Sequence, residues 1–136
     1  MSFANLYYHI MFHTKYNAMA INIENERILY SYINGFCNNY GVKLIRLGGM
    51  PDHIHMLVNM PTTESVSDFV KQLKVATSKM LYQDGHFPYF EGWQNAGYKE
   101  IKFLYYLNPK SLDRNLEWDM KNNLCTDPGC LVRLDP

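Results

Sequence analysis

Two apolar runs, residues 42–47 and 54–58, are separated by only six residues, Gly48-Gly49-Met50-Pro51-Asp52-His53. Parallel strands need a crossover of about a dozen residues or more. The two runs therefore predict an antiparallel hairpin, joined through a turn rich in glycine and proline. The second run opens with His53-Ile54-His55. Side chains alternate between faces along a strand, so His53 and His55 share one face while Ile54 points into a core. Two imidazoles one strand repeat apart can hold a single divalent ion, because neutral imidazole keeps a lone pair at physiological pH. The competing reading is a pair of surface or satisfied core histidines, the usual fate of a bare His-x-His triplet. A rigid turn at a sheet end, where a site is both fixed and open, shifts the balance toward the metal.

The remaining elements follow from periodicity. Residues 6–14 (LYYHIMFHT) are aromatic and partly alternating, as in a first strand. His9 and His13 can share a face there, and they read as edge or surface histidines. Residues 23–39 place Ile28, Leu29, Tyr32, Ile33 and Phe36 at helical spacing, with Asn22 as a cap and Gly41 closing the C-terminus. A second helix is expected over residues 66–82, with Val66, Phe69, Val70, Leu73, Thr77 and Met80 inward and Tyr82 packed in the core. Its Lys71, Lys74 and Ser78 fall at i, i+3 and i+7, either an ordinary solvated face or a phosphate-contacting ridge. The loop over residues 84–97 carries Phe87, Tyr89, Phe90 and Trp93, which either anchor it or stack on unpaired bases. Residues 101–107 read as a last strand and residues 112–124 as a C-terminal helix. The order predicts an α+β fold, a ferredoxin-like sandwich with an antiparallel sheet of four to five strands and helices on one face.

The chain has 136 residues, 47% of them hydrophobic, which suits one domain with a sizeable core. We expect a single domain over residues 1–124 and a C-terminal tail over 125–136. Three cysteines, an odd number, argue against a disulfide framework and for a reduced, cytoplasmic protein. Cys37 beside the buried helical stripe reads as core. Cys125 and Cys130 lack a second pair or a nearby histidine for a zinc site. No apolar run has the length of a membrane span and no signal peptide is evident, so no membrane partner is expected. Lys and Arg balance Asp and Glu at 13 each. That excludes a strongly basic, non-specific nucleic-acid binder but leaves room for a local basic groove.

Several stretches resemble one family, the small single-tyrosine HUH transposases of bacterial insertion sequences, with their REP-associated tyrosine relatives. Tyr8-His9-Ile10-Met11-Phe12-His13-Thr14-Lys15-Tyr16 resembles the family's opening strand. Met50-Pro51-Asp52-His53-Ile54-His55-Met56-Leu57-Val58 resembles its metal strand almost residue for residue. Ser65 to Lys74 with Thr77-Ser78-Lys79 resembles the helix that follows, and Trp93 and Gly97-Tyr98 the approach to the last strand. The resemblance implies cutting and rejoining of single-stranded DNA, with hairpin ends as partner, by a homodimer. It implies Mg²⁺ or Mn²⁺ held by His53 and His55 with a third, oxygen-bearing ligand from the C-terminal helix. A tyrosine on that helix would attack the phosphodiester and form a 5′-phosphotyrosyl link. Lys15, Lys71, Lys74 and Ser78 are the DNA-contacting candidates.

The C-terminal segment departs from the family's pattern. In the best-matching stretch, Asp119-Met120-Lys121-Asn122-Asn123, Asp119 occupies the tyrosine's place and Asn123 that of the oxygen ligand. Aspartate cannot form a phosphotyrosyl link. The remaining candidate nucleophiles are Tyr105 and Tyr106 on the last strand, with Tyr98 before it. Three functions therefore stand: a metal-dependent single-strand DNA transposase with impaired cleavage, a non-catalytic DNA-hairpin-binding protein of the same fold, and an unrelated ferredoxin-like regulatory domain. For the dimer, the aromatic first strand with Tyr8 and Phe12 is the expected contact.

Overall fold

The computed structural model describes residues 6–61, 65–95, 101–103 and 132–133. In chain order these form β1 (Leu6–His13), a short 3-10 turn (Lys15–Asn17), α1 (Glu26–Tyr40), β2 (Lys43–Met50), β3 (His53–Met60), α2 (Val66–Asp84), β4 (Ile101–Phe103) and β5 (Val132–Arg133). The sheet is antiparallel, in the order β4-β1-β3-β2-β5. Its body is three eight-residue strands. Because β3 lies between β1 and β2, the connection through α1 is a split β-α-β unit. The connection through α2 is a second one, with β1 between β3 and β4. The α+β, ferredoxin-like expectation therefore holds.

The hairpin is tighter than the hydrophobic pattern suggests. Pairing runs to Met50↔His53, so only Pro51 and Asp52 form the turn. Gly48 and Gly49 belong to β2 rather than to the turn. Gly49 is required by close backbone approach. A Cβ there would run into the carbonyl oxygen of His53 and lie 2.7 Å from Ile54 Cα. The turn is pinned from outside. Thr14 N donates to Asp52 O at 2.9 Å, Thr14 Oγ1 lies 3.1 Å from the same oxygen, and Ile21 N donates to Pro51 O at 2.9 Å.

Alternation along β1 and β3 sets the two faces of the sheet. Ile10, Phe12, Ile54, Met56, Val58 and Met60 enter one core with Leu29, Ile33 and Cys37 of α1 and Phe69, Val70, Leu73 and Leu81 of α2. Both helices thus cover the same face. Each ends on a left-handed glycine, Gly41 at φ 85° and Gly85 at φ 88°, a conformation that costs a residue with a Cβ. Burial pushes the Cys37 thiol up to about 12, which keeps it protonated and unreactive at neutral pH.

Some expectations are corrected. Helix α1 starts at Glu26 rather than residue 23, because Asn22 Oδ1 accepts from Asn25 N at 3.0 Å and holds a turn ahead of the helix. On α2 the fully buried end of the stripe is Leu81, with Met80 only partly covered. Tyr82 is 59% exposed, although one side of its ring packs on Phe90. Phe12 is 1% exposed and packs edge-on against Trp93, so it cannot form a dimer surface; β1 is an interior strand. Within the expected tail, Val132–Arg133 pairs with β2. The C-terminal helix lies outside the described residues. Among the described residues, no helix is long and apolar enough to cross a membrane.

A methyl group at Gly49 must displace the His53 backbone. We predict that Gly49→Ala lowers the free energy of unfolding by about 1–3 kcal/mol, as overpacking does. Urea titration followed by circular dichroism measures it. Unchanged stability would show that the strands can separate there at little cost.

Candidate active site

The face of the sheet away from the helices carries the histidines. The β1–β3 register pairs His13 with His53 and Met11 with His55, and sets His9 two pairs further on, opposite Leu57. Four imidazoles therefore gather on one face. Ring centroids are 5.7 Å apart for His53–His55, 5.2 Å for His13–His53 and 5.2 Å for His9–His55. Ile54 lies in the core opposite. His9 and His55 are buried, at 1% and 0% exposure, while His53 is partly open.

Each member of the His53/His55 pair is held at Nδ1. His53 Nδ1 lies 2.8 Å from Asp52 Oδ1, and His55 Nδ1 lies 3.0 Å from His9 Nε2. A carboxylate accepts, so the neutral His53 ring carries its proton on Nδ1 and its lone pair on Nε2. The His9–His55 bond needs one donor and one acceptor. With the proton on His55 Nδ1, His9 Nε2 accepts and the His55 lone pair also sits on Nε2. Orientation of a ligating imidazole through its other nitrogen is the usual support of a metal site. The donor set thus suits a divalent ion. Among the described residues, however, no group of three or more His, Cys, Asp or Glu is placed to hold one, so the pair would need a further ligand.

His9 and His13 do not fit the edge or surface reading. The signal available in the sequence was parity: both share odd numbering with His53 and His55. That parity gained meaning only once the register placed β1 directly beside β3.

The strand end next to His53 is closed by the loop after α2. Gln94 N donates to His13 O and Lys15 N to Gly92 O, each at 2.7 Å, around a Thr14–Trp93 bridge. Trp93 is buried and donates from Nε1 to Thr77 Oγ1 at 2.9 Å, and Thr77 Oγ1 donates to Leu73 O at 2.7 Å. Phe87 and Phe90 are buried too, so three of the four loop aromatics anchor the loop, and Tyr89 alone is exposed.

The candidate DNA contacts do not form one ridge. Lys74 Nζ donates to Gln94 O at 2.9 Å and lies 5.9 Å from the Phe12 ring centroid, which ties α2 to the strand end. Lys71 lines a shallow groove with Phe36, Asp68 and Gln72, in the helix layer across the sheet from the histidines. Ser78 is partly buried. Lys15 is exposed and follows directly on the histidine end of β1. Tyr98, Tyr105, Tyr106, Asp119 and Asn123 lie outside the described residues.

Comparison with known proteins places this geometry. The fold matches a crystal structure of a candidate transposase from Deinococcus radiodurans R1, with TM-score 0.64 and 21% identity, over 92% of this chain and 95% of that one. It also matches a REP-associated tyrosine transposase bound to a REP hairpin, with TM-score 0.59 and 10% identity, over 91% of this chain and 72% of that one. Both likenesses are of fold, the α+β sheet with two helices on one face. Residues 2–106 match the family model described as "Transposase IS200 like", and the chain belongs to that family. The transposase for insertion sequence element IS200 of Salmonella typhimurium is 38% identical over 79 residues, which cover 58% of this chain and 52% of that protein. The ISDra2 transposase TnpA of Deinococcus radiodurans is 29% identical over 77 residues, 57% of this chain and 55% of that protein. These alignments span about half the length of the curated relatives.

The Asp52 contact predicts a single tautomer. In the neutral ring, long-range ¹H–¹⁵N spectra should show His53 protonated on Nδ1, and Asp52→Ala should release that preference. An Nε2–H tautomer in the unsubstituted protein would contradict the geometry.

Proposed function

We propose that this chain acts on single-stranded DNA with hairpin ends, as a metal-dependent transposase whose strand cleavage is impaired. The observation that carries the reading is the His53/His55 pair on one sheet face, each ring contacted at Nδ1 by Asp52 or His9. His53 and His55 would hold Mg²⁺ or Mn²⁺ through Nε2, with the Asn123 side-chain oxygen as a third ligand. The bound ion would polarise the scissile phosphate and offset charge in the transition state. The chain's own residues orient that arrangement. Asp52 keeps His53 in the tautomer that leaves its Nε2 lone pair free, His9 orients the His55 ring through Nδ1, and the Thr14–Asp52 bonds fix the turn from which His53 emerges.

Impairment follows from the nucleophile. A tyrosine oxygen attacking phosphorus would form a phosphotyrosyl ester and release the departing strand's hydroxyl. Asp119 stands where that tyrosine is expected, so attack would fall to Tyr105 or Tyr106. Asp119 also favours the second reading, a non-catalytic hairpin-binding protein of the same fold. We further propose that the protein works in the cytoplasm as a homodimer, with the C-terminal helix of one subunit completing the other's site.

The test is incubation of labelled hairpin-bearing single-stranded DNA with the protein and Mn²⁺, followed by denaturing electrophoresis and peptide mapping. We expect salt-sensitive hairpin binding with little or no covalent adduct. An adduct at Tyr105 or Tyr106 comparable to the amount of protein would overturn the impairment and name the nucleophile. Absence of hairpin binding would overturn the DNA reading. In calorimetric Mn²⁺ titrations, His53→Ala and His55→Ala should abolish binding. His9→Ala should weaken it roughly 10- to 100-fold, as loss of an orienting partner does. Unchanged affinity in His9→Ala would remove its positioning role.

A further inference from the structure

The turn that ends β1 holds an aromatic residue in a conformation that suits it badly. Tyr16 has φ 62° and ψ 19°, and Asn17 follows with φ 53°. The left-handed region is unfavourable for a bulky side chain, and glycine or asparagine is the usual occupant. The surrounding bonds impose it: Asn17 N donates to Thr14 O at 3.1 Å, Ala18 N to Lys15 O at 3.3 Å and Thr14 Oγ1 to Ala18 O at 2.7 Å. Burial gives no compensation, since Tyr16 is 77% exposed. A strained exposed aromatic at the edge of a candidate site calls for a use outside the fold.

Its neighbours suggest that use. Lys15 Nζ lies 5.5 Å from the Tyr16 ring centroid. The Lys15 stem and the Tyr82 hydroxyl flank Gly92, at 3.9 and 3.6 Å from the position a Cβ would take there. Tyr82 is itself more than half exposed. An exposed ring, a cation and a second tyrosine thus lie together. Lys15 N is bonded to Gly92, and Thr14 N to Asp52 O, the residue before His53. Through these backbone bonds the turn adjoins the end of the sheet from which His13 and His53 project.

We propose that Lys15 and Tyr16 form a stacking platform for an unpaired base of single-stranded DNA next to the histidine pair. Tyr16 takes the base face and Lys15 meets a flanking phosphate. Base–aromatic stacking tolerates any base, so the platform supplies affinity rather than sequence choice. The assignment rests on the single-strand DNA reading above and adds the residue that grips the strand.

Strain and function make opposite demands on Tyr16, and this provides the test. Binding of a fluorescein-labelled hairpin with a single-stranded flank is followed by anisotropy in EDTA, beside thermal melts. Tyr16→Gly, which relieves the backbone, should melt at or above the temperature of the unsubstituted protein and bind roughly 5- to 100-fold more weakly. Tyr16→Phe should bind within about two-fold of the original, because the ring remains. If Tyr16→Gly binds as tightly as the original, the platform is wrong while the DNA reading stands. If Tyr16→Gly loses melting temperature along with affinity, the ring is a structural element and the platform is again overturned. If the unsubstituted protein binds no single-stranded DNA, both readings fall.

Discussion

The antiparallel ladder between β1 and β3 is the constraint on which the site depends. It runs without a break from Leu6↔Met60 to His13↔His53. Because the side-chain period of a strand is two, a slip of one residue would turn His53 and His55 toward the helices and bring Ile54 to the opposite face. The core therefore sets the register, and the register sets the site. Ile10, Phe12, Ile54, Met56, Val58 and Met60 must all face α1 and α2. With those positions fixed, the intervening residues carry four imidazoles to the other face. No separate device is needed to gather them.

The ladder's end at His53 is then locked from three directions. Thr14 holds Asp52, Gly49 lets β2 approach His53 closely, and the 92–94 segment bonds to the end of β1. Thr77 and Trp93 fasten that segment to α2 through a buried hydrogen bond. A substitution in α2 can thus disturb a histidine on the far side of the sheet through packing alone. The same frame imposes the left-handed Tyr16, so rigidity around the pair and strain in the adjoining turn have one origin.

Much of this was legible in the sequence because hydrophobic period and turn residues pointed the same way. The short link around Pro51 required a hairpin, Gly41 closed a helix, and His53-Ile54-His55 showed which face each ring takes. What escaped reading depended on pairing between distant segments. His9 and His13 looked like surface residues because nothing local shows that β1 becomes an interior strand beside β3. Gly48 and Gly49 read as turn residues because glycine marks both turns and close strand approaches. Lys71, Lys74 and Ser78 share a helical face, yet Lys74 reaches around to Gln94 while Lys71 lines the groove beside α1. Helical spacing cannot predict that separation, because it depends on what the helix packs against.

The central claim is that His53 and His55 are a metal-binding pair made competent by contacts at Nδ1. Crystals of the full chain soaked in Mn²⁺ test it most directly, through anomalous difference density. The account predicts one strong peak within bonding distance of both Nε2 atoms, with Asp52 and His9 still contacting the two Nδ1 atoms. A peak at other residues, or no peak between these rings at saturating Mn²⁺, would contradict it.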